Sequence, residues 1–231
     1  MLSSPRRTRT ALLVAAALIA SGLTLVGQLA LASTAEKPLP FEDPKMVVVY
    51  SGPDRDAQLL ISVGNTVTMA SLALASPTGA VVTEASFDST LGQADFRLDT
   101  PEPSLGTLKR TYPAGVYRWT GRTVDGRPIV GVSRLSYRLL TPPRILAPAR
   151  NQKLTTSEAT LEWGRVAGAH VIHLEVEQVR TSHLLTVDLP GSATRFTIPD
   201  GFLQPGLKYT LDVKAVGPND NLTVTDVDFR T

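Results

Sequence analysis

The chain has 231 residues, which suffices for two β-sandwich domains of about 100 residues each. It contains no cysteine, which excludes disulfides and thiolate metal sites, and its formal net charge is +2. Without the three arginines of the first 32 residues, 20 Lys and Arg oppose 21 Asp and Glu, a near-neutral balance that gives no electrostatic case for nucleic-acid binding.

The first 32 residues have the three-part order of a secretory signal peptide. Three arginines between residues 6 and 9 precede a long apolar run, and Ala30-Leu31-Ala32 forms a small-x-small cleavage box. The apolar run is also about as long as a membrane-spanning helix. The sequence predicts a cleaved Sec-type signal peptide over 1–32, with an uncleaved single-pass inner-membrane anchor as the alternative. In both cases the remaining chain is expected outside the cytoplasm, secreted or periplasmic.

Residues 33–44 contain three prolines and are expected to form an extended tether. Between residues 45 and 141, short alternating or β-branched segments are separated by turn residues, and no helical spacing is convincing. This stretch is predicted to be an N-terminal β-sandwich domain. Tyr117 and Trp119 are expected to face its core, because they alternate along one strand with Arg118 and Thr120.

The dipeptide Pro142-Pro143 marks the domain boundary, because prolines cannot donate to a sheet ladder and they stiffen a link. Residues 142–231 alternate more cleanly and predict a second sandwich of about seven strands. Its expected core residues are Leu161, Trp163, Leu203 and Tyr209. The predicted fold class is therefore all-β, with two tandem antiparallel β-sandwiches after an N-terminal hydrophobic helix.

Three motifs stand together in the second domain: Leu161-x-Trp163, Gly168-Ala169-x-x-Ile172-x-Leu174-x-Val176 and Leu203-x-Pro205-Gly206-x-x-Tyr209-x-Leu211-x-Val213-x-Ala215. With these motifs, residues 143–231 resemble a fibronectin type III domain, an immunoglobulin-like sandwich. The resemblance implies that Trp163 is a core residue and that Leu203 and Tyr209 form a tyrosine corner. One departure is Ile172, where many members have tyrosine. Such domains serve as spacers and binding modules in very different proteins.

The whole chain also resembles uncharacterised exported bacterial proteins that contain a fibronectin type III domain. That resemblance depends on Asp54-Arg-Asp56-Ala57, on Tyr112-Pro-Ala-Gly115-Val-Tyr117, on Gly121-Arg122-Thr123-Val124-Asp125-Gly126 and on Ser136 followed by Pro142-Pro143. It implies a bacterial source and no particular activity. In a bacterial host, the sequon Asn221-Leu222-Thr223 carries no expectation of glycosylation.

Candidate metal ligands are few. Zinc sites normally need three or four converging ligands, and His170 and His173 point to opposite faces of a strand. An exposed polar face is therefore favoured over a surface site that combines His173 with His183. Asp54 and Asp56 lie in a Gly-Pro loop and are candidate calcium ligands, although a solvated turn is the favoured interpretation. No cofactor is predicted.

One further set of side chains could bind a ligand through arginine and aromatic groups. Its members are Tyr112, Tyr117, Trp119, Arg118, Arg122 and Arg127. The favoured alternative is that the aromatic residues belong to the core and the arginines to solvated strand faces.

The sequence contains no nucleophile elbow, phosphate loop or dinucleotide fingerprint, and a non-catalytic protein is expected. The predicted function is an exported cell-envelope or extracellular module that binds an unknown protein or glycan, for example by strand addition at a sheet edge, or that acts as a spacer. One alternative is a membrane-anchored periplasmic module of a larger assembly. Another is a small glycan-active hydrolase with a carboxylate pair between the domains. Contact with a membrane is expected only through the N-terminal segment.

Overall fold

The structure is a computed structural model that describes residues 36–88, 90–154, 159–181 and 183–231. The predicted signal peptide or anchor over 1–32 and the first residues of the predicted tether lie outside these ranges. Within the described ranges, no helix is both long enough and apolar enough to cross a membrane. Residues 36–231 form one compact unit.

Apart from one short helix, the regular secondary structure of the described chain is all strand, so the all-β prediction is confirmed. The strands of the first half are β1 (Leu39–Pro40), β2 (Glu42–Ser51), β3 (Ala57–Ala75), β4 (Val81–Ser86), β5 (Gln93–Asp99), β6 (Gly115–Thr123) and β7 (Pro128–Leu135), with helix α1 (Leu105–Thr111) before β6. Those of the second half are β8 (Ile145–Ala147), β9 (Thr160–Trp163), β10 (Val171–Gln178), β11 (His183–Pro190), β12 (Arg195–Thr197), β13 (Lys208–Val216) and β14 (Leu222–Arg230). Residues 36–139, called the N-lobe, and residues 140–231, called the C-lobe, each pack around a hydrophobic core of their own.

The long strand β3 organises the N-lobe. Its first half lies between β2 and β5, and its second half lies between β4 and β6. Gly and Asn commonly end strands, but β3 continues through Gly64-Asn65. Its register shifts between Gly64 and Met69 in the pairing with β5, and between Met69 and Ser71 in the pairing with β6. A strand that bends in this way can serve both layers of a sandwich, since register shifts increase local bending and twist.

Residues 39–44, which the sequence assigns to the tether, lie in the N-lobe sheet. β1 pairs in parallel with β7, and the Phe41 N–H donates to the Val130 carbonyl at 2.9 Å. The Phe41 side chain is only 5% exposed, and its ring centroid lies 5.9 Å from that of Trp119. Burial of this one aromatic ring explains why the segment is held against the sheet.

Helix α1 is absent from the sequence-based prediction, because seven residues are too few for a visible helical period. Ser104 caps its N-terminus by accepting a hydrogen bond from the Thr107 N–H at 3.3 Å. At its C-terminus the Tyr137 hydroxyl donates to the Tyr112 carbonyl at 2.7 Å. Leu108, with 1% exposure, anchors the helix in the core.

The C-lobe is a sandwich of a three-stranded and a four-stranded sheet. The smaller sheet has the order β12-β9-β8, and the larger has the order β11-β10-β13-β14, with antiparallel neighbours throughout. Alternate residues of β10 and β13 are buried, among them Ile172, Leu174, Tyr209 and Leu211. The clean alternation of the sequence is thus the alternation between core and solvent.

The two lobes meet where β14 of the C-lobe pairs in parallel with β2 of the N-lobe, a junction called the seam. Its register is Leu222 with Val49, Thr223 with Tyr50 and Val224 with Ser51, and the Gly52 N–H donates to the Val224 carbonyl at 2.9 Å. The larger C-lobe sheet and the N-lobe strands thereby form one 11-stranded sheet. The lobes are therefore joined by main-chain hydrogen bonds as well as by the Pro142-Pro143 link.

The side chain of Asn221 stabilises the seam by hydrogen bonds to main-chain groups of the N-lobe. Its side-chain oxygen accepts a hydrogen bond from the Val48 N–H at 2.9 Å, and its amide nitrogen donates to the carbonyls of Ser136 at 2.7 Å and Arg138 at 3.4 Å. The residue is 2% exposed. Asn221 is also the acceptor position of the sequon, and in the folded protein its amide is buried and engaged.

Candidate functional site

The outer face of β6 and β7 carries arginine and valine side chains. Arg118 lies directly opposite Val132, and Val130 is the next residue on this face of β7. Arg122 follows Arg118 on the same face of β6, with one threonine between them. Val130 is 43% exposed and Val132 is 56% exposed. Arg134 continues the face at the far end of β7. These five residues define the arginine–valine face.

The guanidinium groups of this face are available to a partner. None of the three arginines forms an ion pair with a residue of the described ranges. The Nη1 of Arg122 donates to the Gly126 carbonyl at 3.0 Å, which orients the side chain without neutralising it. The two exposed valines give the same face an apolar surface beside the arginines.

A hollow of about 690 Å³ lies beside the arginine–valine face. Strand β3 runs between β4 and β6 here, so Ser71 and Ala73 line the centre of the hollow. Glu84 of β4 lies on one side, and Thr120 and Arg122 of β6 lie on the other. The small central side chains leave room for a ligand to approach the sheet.

The aromatic members of the predicted ligand set lie elsewhere. Tyr117 is fully buried and donates to the Pro113 carbonyl at 2.9 Å, and Trp119 is 1% exposed and donates to the Ser133 hydroxyl at 2.7 Å. Tyr112 ends helix α1. Arg127 lies outside the face because it belongs to the turn between β6 and β7, and it pairs with Glu36. The structure therefore separates the arginines Arg118 and Arg122 from the aromatic residues.

A second depression, the seam trough, lies between the lobes and has a volume of about 320 Å³. Its ionisable lining residues are Asp54, Asp56, Glu102, Asp212, Asp226 and Lys214. Asp212 lies directly opposite Asp226 on the neighbouring strand, a like-charge pair that destabilises a sheet. Burial raises the pKa of Asp212; Lys214 opposes this shift, while Glu175 and Asp226 add to it.

A ladder of charged side chains crosses the C-lobe sheet toward this trough. The two ring nitrogens of His173 lie 2.5 Å from the Asp188 carboxylate and 3.0 Å from the Glu175 carboxylate. Lys214 contacts Glu175 and lies 3.6 Å from Asp212. Burial tends to raise the pKa of Glu175, but hydrogen bonds from Lys214 and His173 outweigh it, so the pKa is lowered.

The predicted metal ligands are distributed as follows. His183 packs against Phe202 with tilted rings whose centroids lie 5.0 Å apart, whereas His173 belongs to the charged ladder and His170 precedes β10. Asp54 accepts a hydrogen bond from the Ser51 hydroxyl at 3.0 Å within the β2–β3 turn. Among the described residues, no group of three or more His, Cys, Asp or Glu is arranged to hold a metal ion.

The predicted core residues of the C-lobe lie together. Leu161 is fully buried, and Trp163, with 1% exposure, donates to the Ala193 carbonyl at 2.9 Å. The Tyr209 hydroxyl accepts a hydrogen bond from the Gln204 N–H at 2.8 Å beside the buried Leu203, which is the geometry of a tyrosine corner. The C-lobe has the three-plus-four strand order and the tyrosine corner of a fibronectin type III-like fold.

Comparison with solved structures gives neighbours of the same general type. A two-domain fibronectin type III segment of chicken tenascin is 15% identical and covers 84% of this chain and 98% of its own, with a TM-score of 0.31. Three fibronectin domains of chicken CNTN1 are 12% identical over 84% of this chain and 65% of theirs, with a TM-score of 0.34. A segment of a bacterial ice-binding adhesin is 9% identical over 84% and 66%, with a TM-score of 0.29. These superpositions are loose, so the assignment depends on the strand order and the tyrosine corner.

No protein-family model matches the chain. The search of curated proteins likewise finds no match. The resemblance to exported bacterial proteins remains a prediction.

Proposed function

We propose that the chain is an exported, non-catalytic protein of the cell envelope or the extracellular space, which presents binding surfaces on a rigid two-lobe body. It serves as a binding or spacer module for a protein or glycan partner. The observation that carries the proposal is the seam, because one sheet runs from the C-lobe into the N-lobe. A spacer or a presenting module needs this kind of fixed relation between its parts.

The energetics of the seam support a fixed relation. Opening it requires three residue pairs of ladder and the buried hydrogen bonds of Asn221 to break together. The link is also packed tightly, since a Cβ atom on Gly52 would lie 2.7 Å from Pro142. Buried polar groups that lose their partners cost about 1–3 kcal/mol each, so the closed state is strongly favoured.

Strand addition is one physical route to a partner. With β14 paired to β2, the remaining edge of the larger C-lobe sheet is β11, which pairs only with β10 among the described strands. This edge has eight residues and its proline comes last. A regular edge without an internal proline or lysine leaves unpaired N–H and C=O groups for an incoming strand.

A distance measurement between the lobes tests rigidity. The chain has no cysteine, so spin labels on Val81→Cys and Val179→Cys, which replace exposed valines of the N-lobe and the C-lobe, have no background. One narrow distance distribution is expected from double electron–electron resonance. A broad or bimodal distribution contradicts a rigid module.

Cell fractionation and the mass of the mature N-terminus test export. The proposal expects the protein in the periplasmic or secreted fraction, beginning after Ala32. A chain that begins at Met1 and pellets with membranes supports the anchored module of a larger assembly instead. A cytoplasmic location contradicts both versions.

The seam trough favours one alternative, a small glycan-active hydrolase. Burial raises the pKa of Asp212 beside the carboxylate of Asp226, and two carboxyl groups in different environments can act as acid and base. A panel of chromogenic glycosides, tested with the wild type and with Asp212→Asn and Asp226→Asn, distinguishes the two functions. Turnover that both substitutions abolish establishes the hydrolase. The binding module is expected to show no turnover.

A further inference from the structure

The arginine–valine face combines positive charge with exposed apolar surface. The core side of β6 and β7 is filled by residues such as Tyr117 and Trp119, so the outer side is free to be fully polar. It instead carries Val130 and Val132, exposed by 43% and 56%, between arginines. Arginine is enriched and lysine is depleted at protein-binding surfaces, and the charged groups of this face are arginines.

The charge of the face selects the partner. Arg118, Arg122 and Arg134 give the face three positive charges, and only Arg122 shares the hollow with a carboxylate, that of Glu84. Guanidinium groups favour carboxylates because they can form paired hydrogen bonds with them. A partner that satisfies both the arginines and the valines therefore carries carboxylates and aliphatic side chains at strand spacing.

From this complementarity we infer that the arginine–valine face binds an extended acidic segment of a partner protein, in which Asp or Glu alternates with aliphatic residues. The inference rests on the proposed binding function and names its surface and its partner class. Aliphatic side chains of the segment contact Val130 and Val132, and its carboxylates reach Arg118 and Arg122. The hollow over Ser71 and Ala73 accommodates part of the segment.

An anionic polysaccharide fits the face less well. Protein sites that bind sugars commonly use aromatic rings, and the residues that define the face and line the hollow include none. Sulfate or carboxylate groups of a polysaccharide could contact the arginines, but the exposed valines would gain nothing from a polar chain. The two kinds of partner are therefore distinguishable by the contribution of the valines.

The test uses a fluorescent seven-residue peptide that alternates glutamate with valine, measured by anisotropy against the purified protein. The double variant Arg118→Glu with Arg122→Glu is expected to weaken binding by about tenfold or more, because like charges then face each other. The matched control is Arg165→Glu with Arg180→Glu, which makes the same change of charge on exposed C-lobe residues and leaves binding unchanged. Val130→Thr with Val132→Thr, a change of polarity with little change of shape, is also expected to weaken binding.

Several results overturn the inference. These are no binding of the peptide, equal weakening by the control variant, equal binding of an all-glutamate peptide, or tighter binding of dextran sulfate that the valine substitutions do not affect. The last result identifies a polysaccharide surface. If the peptide does not bind but the spin-label distance distribution between the lobes is narrow, the inference is wrong and the protein is still a rigid spacer module. A broad distance distribution contradicts the proposed function itself.

Discussion

Asn221→Ala is expected to weaken the seam more than any other truncation of a single polar side chain there. The substitution leaves the Val48 N–H and the Ser136 carbonyl without their partners. Val48 is fully buried, so water cannot readily replace the lost bond. With about 1–3 kcal/mol for each unsatisfied group, we expect the free energy of unfolding to fall by about 2–4 kcal/mol.

Urea unfolding followed by far-UV circular dichroism measures this loss, and the neighbouring asparagine provides the control. The side-chain oxygen and nitrogen of Asn219 are buried without a hydrogen-bond partner among the described residues. Asn219→Ala therefore removes no bond and is expected to be neutral or stabilising. Equal stability of Asn221→Ala and the wild type would refute the assignment of Asn221 as the lock of the seam.

Asn221→Asp sharpens the test through pH. The carboxylate can still accept from the Val48 N–H, but it faces the Ser136 carbonyl without a proton to donate, so its pKa in the folded protein is raised. A raised pKa means that the stability contribution is present at low pH and is lost as pH rises through the folded value. The variant should therefore be less stable than the wild type at pH 7, and the difference should narrow as the pH falls toward about 4.

Four further predictions concern the C-lobe and the β2–β3 turn. Trp163→Ala is expected to lower the free energy of unfolding by about 3–5 kcal/mol in urea titration, because it leaves a cavity and an unpaired Ala193 carbonyl; a near-neutral result would contradict the core assignment. Glu175→Gln should destabilise the protein at pH 7 and lose this effect as pH falls below about 4, because the stability from a lowered carboxyl pKa is complete above the unfolded pKa and is lost as pH falls through the folded pKa. Asp212→Asn should have the opposite effect, because the raised pKa of Asp212 makes its charged form unfavourable in the fold: the variant should gain stability relative to the wild type as pH rises. Thermal melts at several pH values measure both effects. A change of the same sign for the two variants would contradict the charged ladder. Calcium or EDTA should leave the melting temperature unchanged, since the Asp54 side chain is already bonded by Ser51; a calcium-dependent rise would instead establish a site there.

The fold class could be predicted from the sequence because it depends on local hydrophobic periodicity. Alternation along β10 and β13 places Leu174 and Leu211 in the core, and this is visible without any knowledge of the partners of each strand. The tyrosine corner was accessible for a similar reason, since Leu203 and Tyr209 lie close together in the chain. Helix α1 was missed because its seven residues have no room to display a period.

The seam was not accessible from sequence, because its contacts join residues far apart in the chain. Asn221 lies 173 residues from Val48, and nothing in the local sequence distinguishes a buried asparagine from one in an exposed turn. Only the arginines of the arginine–valine face could be predicted from the sequence. Alternation places Arg118 and Arg122 on the outer side, but the exposure of Val130 and Val132 depends on which strands lie beside them.

The central claim is that the seam makes the two lobes one cooperative body. The chain has two tryptophans, Trp119 in the N-lobe core and Trp163 in the C-lobe core, so 5-fluorotryptophan labelling provides one fluorine NMR signal for each lobe. In a urea titration, a single cooperative body loses both native signals with the same midpoint, since coincident probes indicate two-state unfolding. Loss of one native signal while the other persists would contradict the claim.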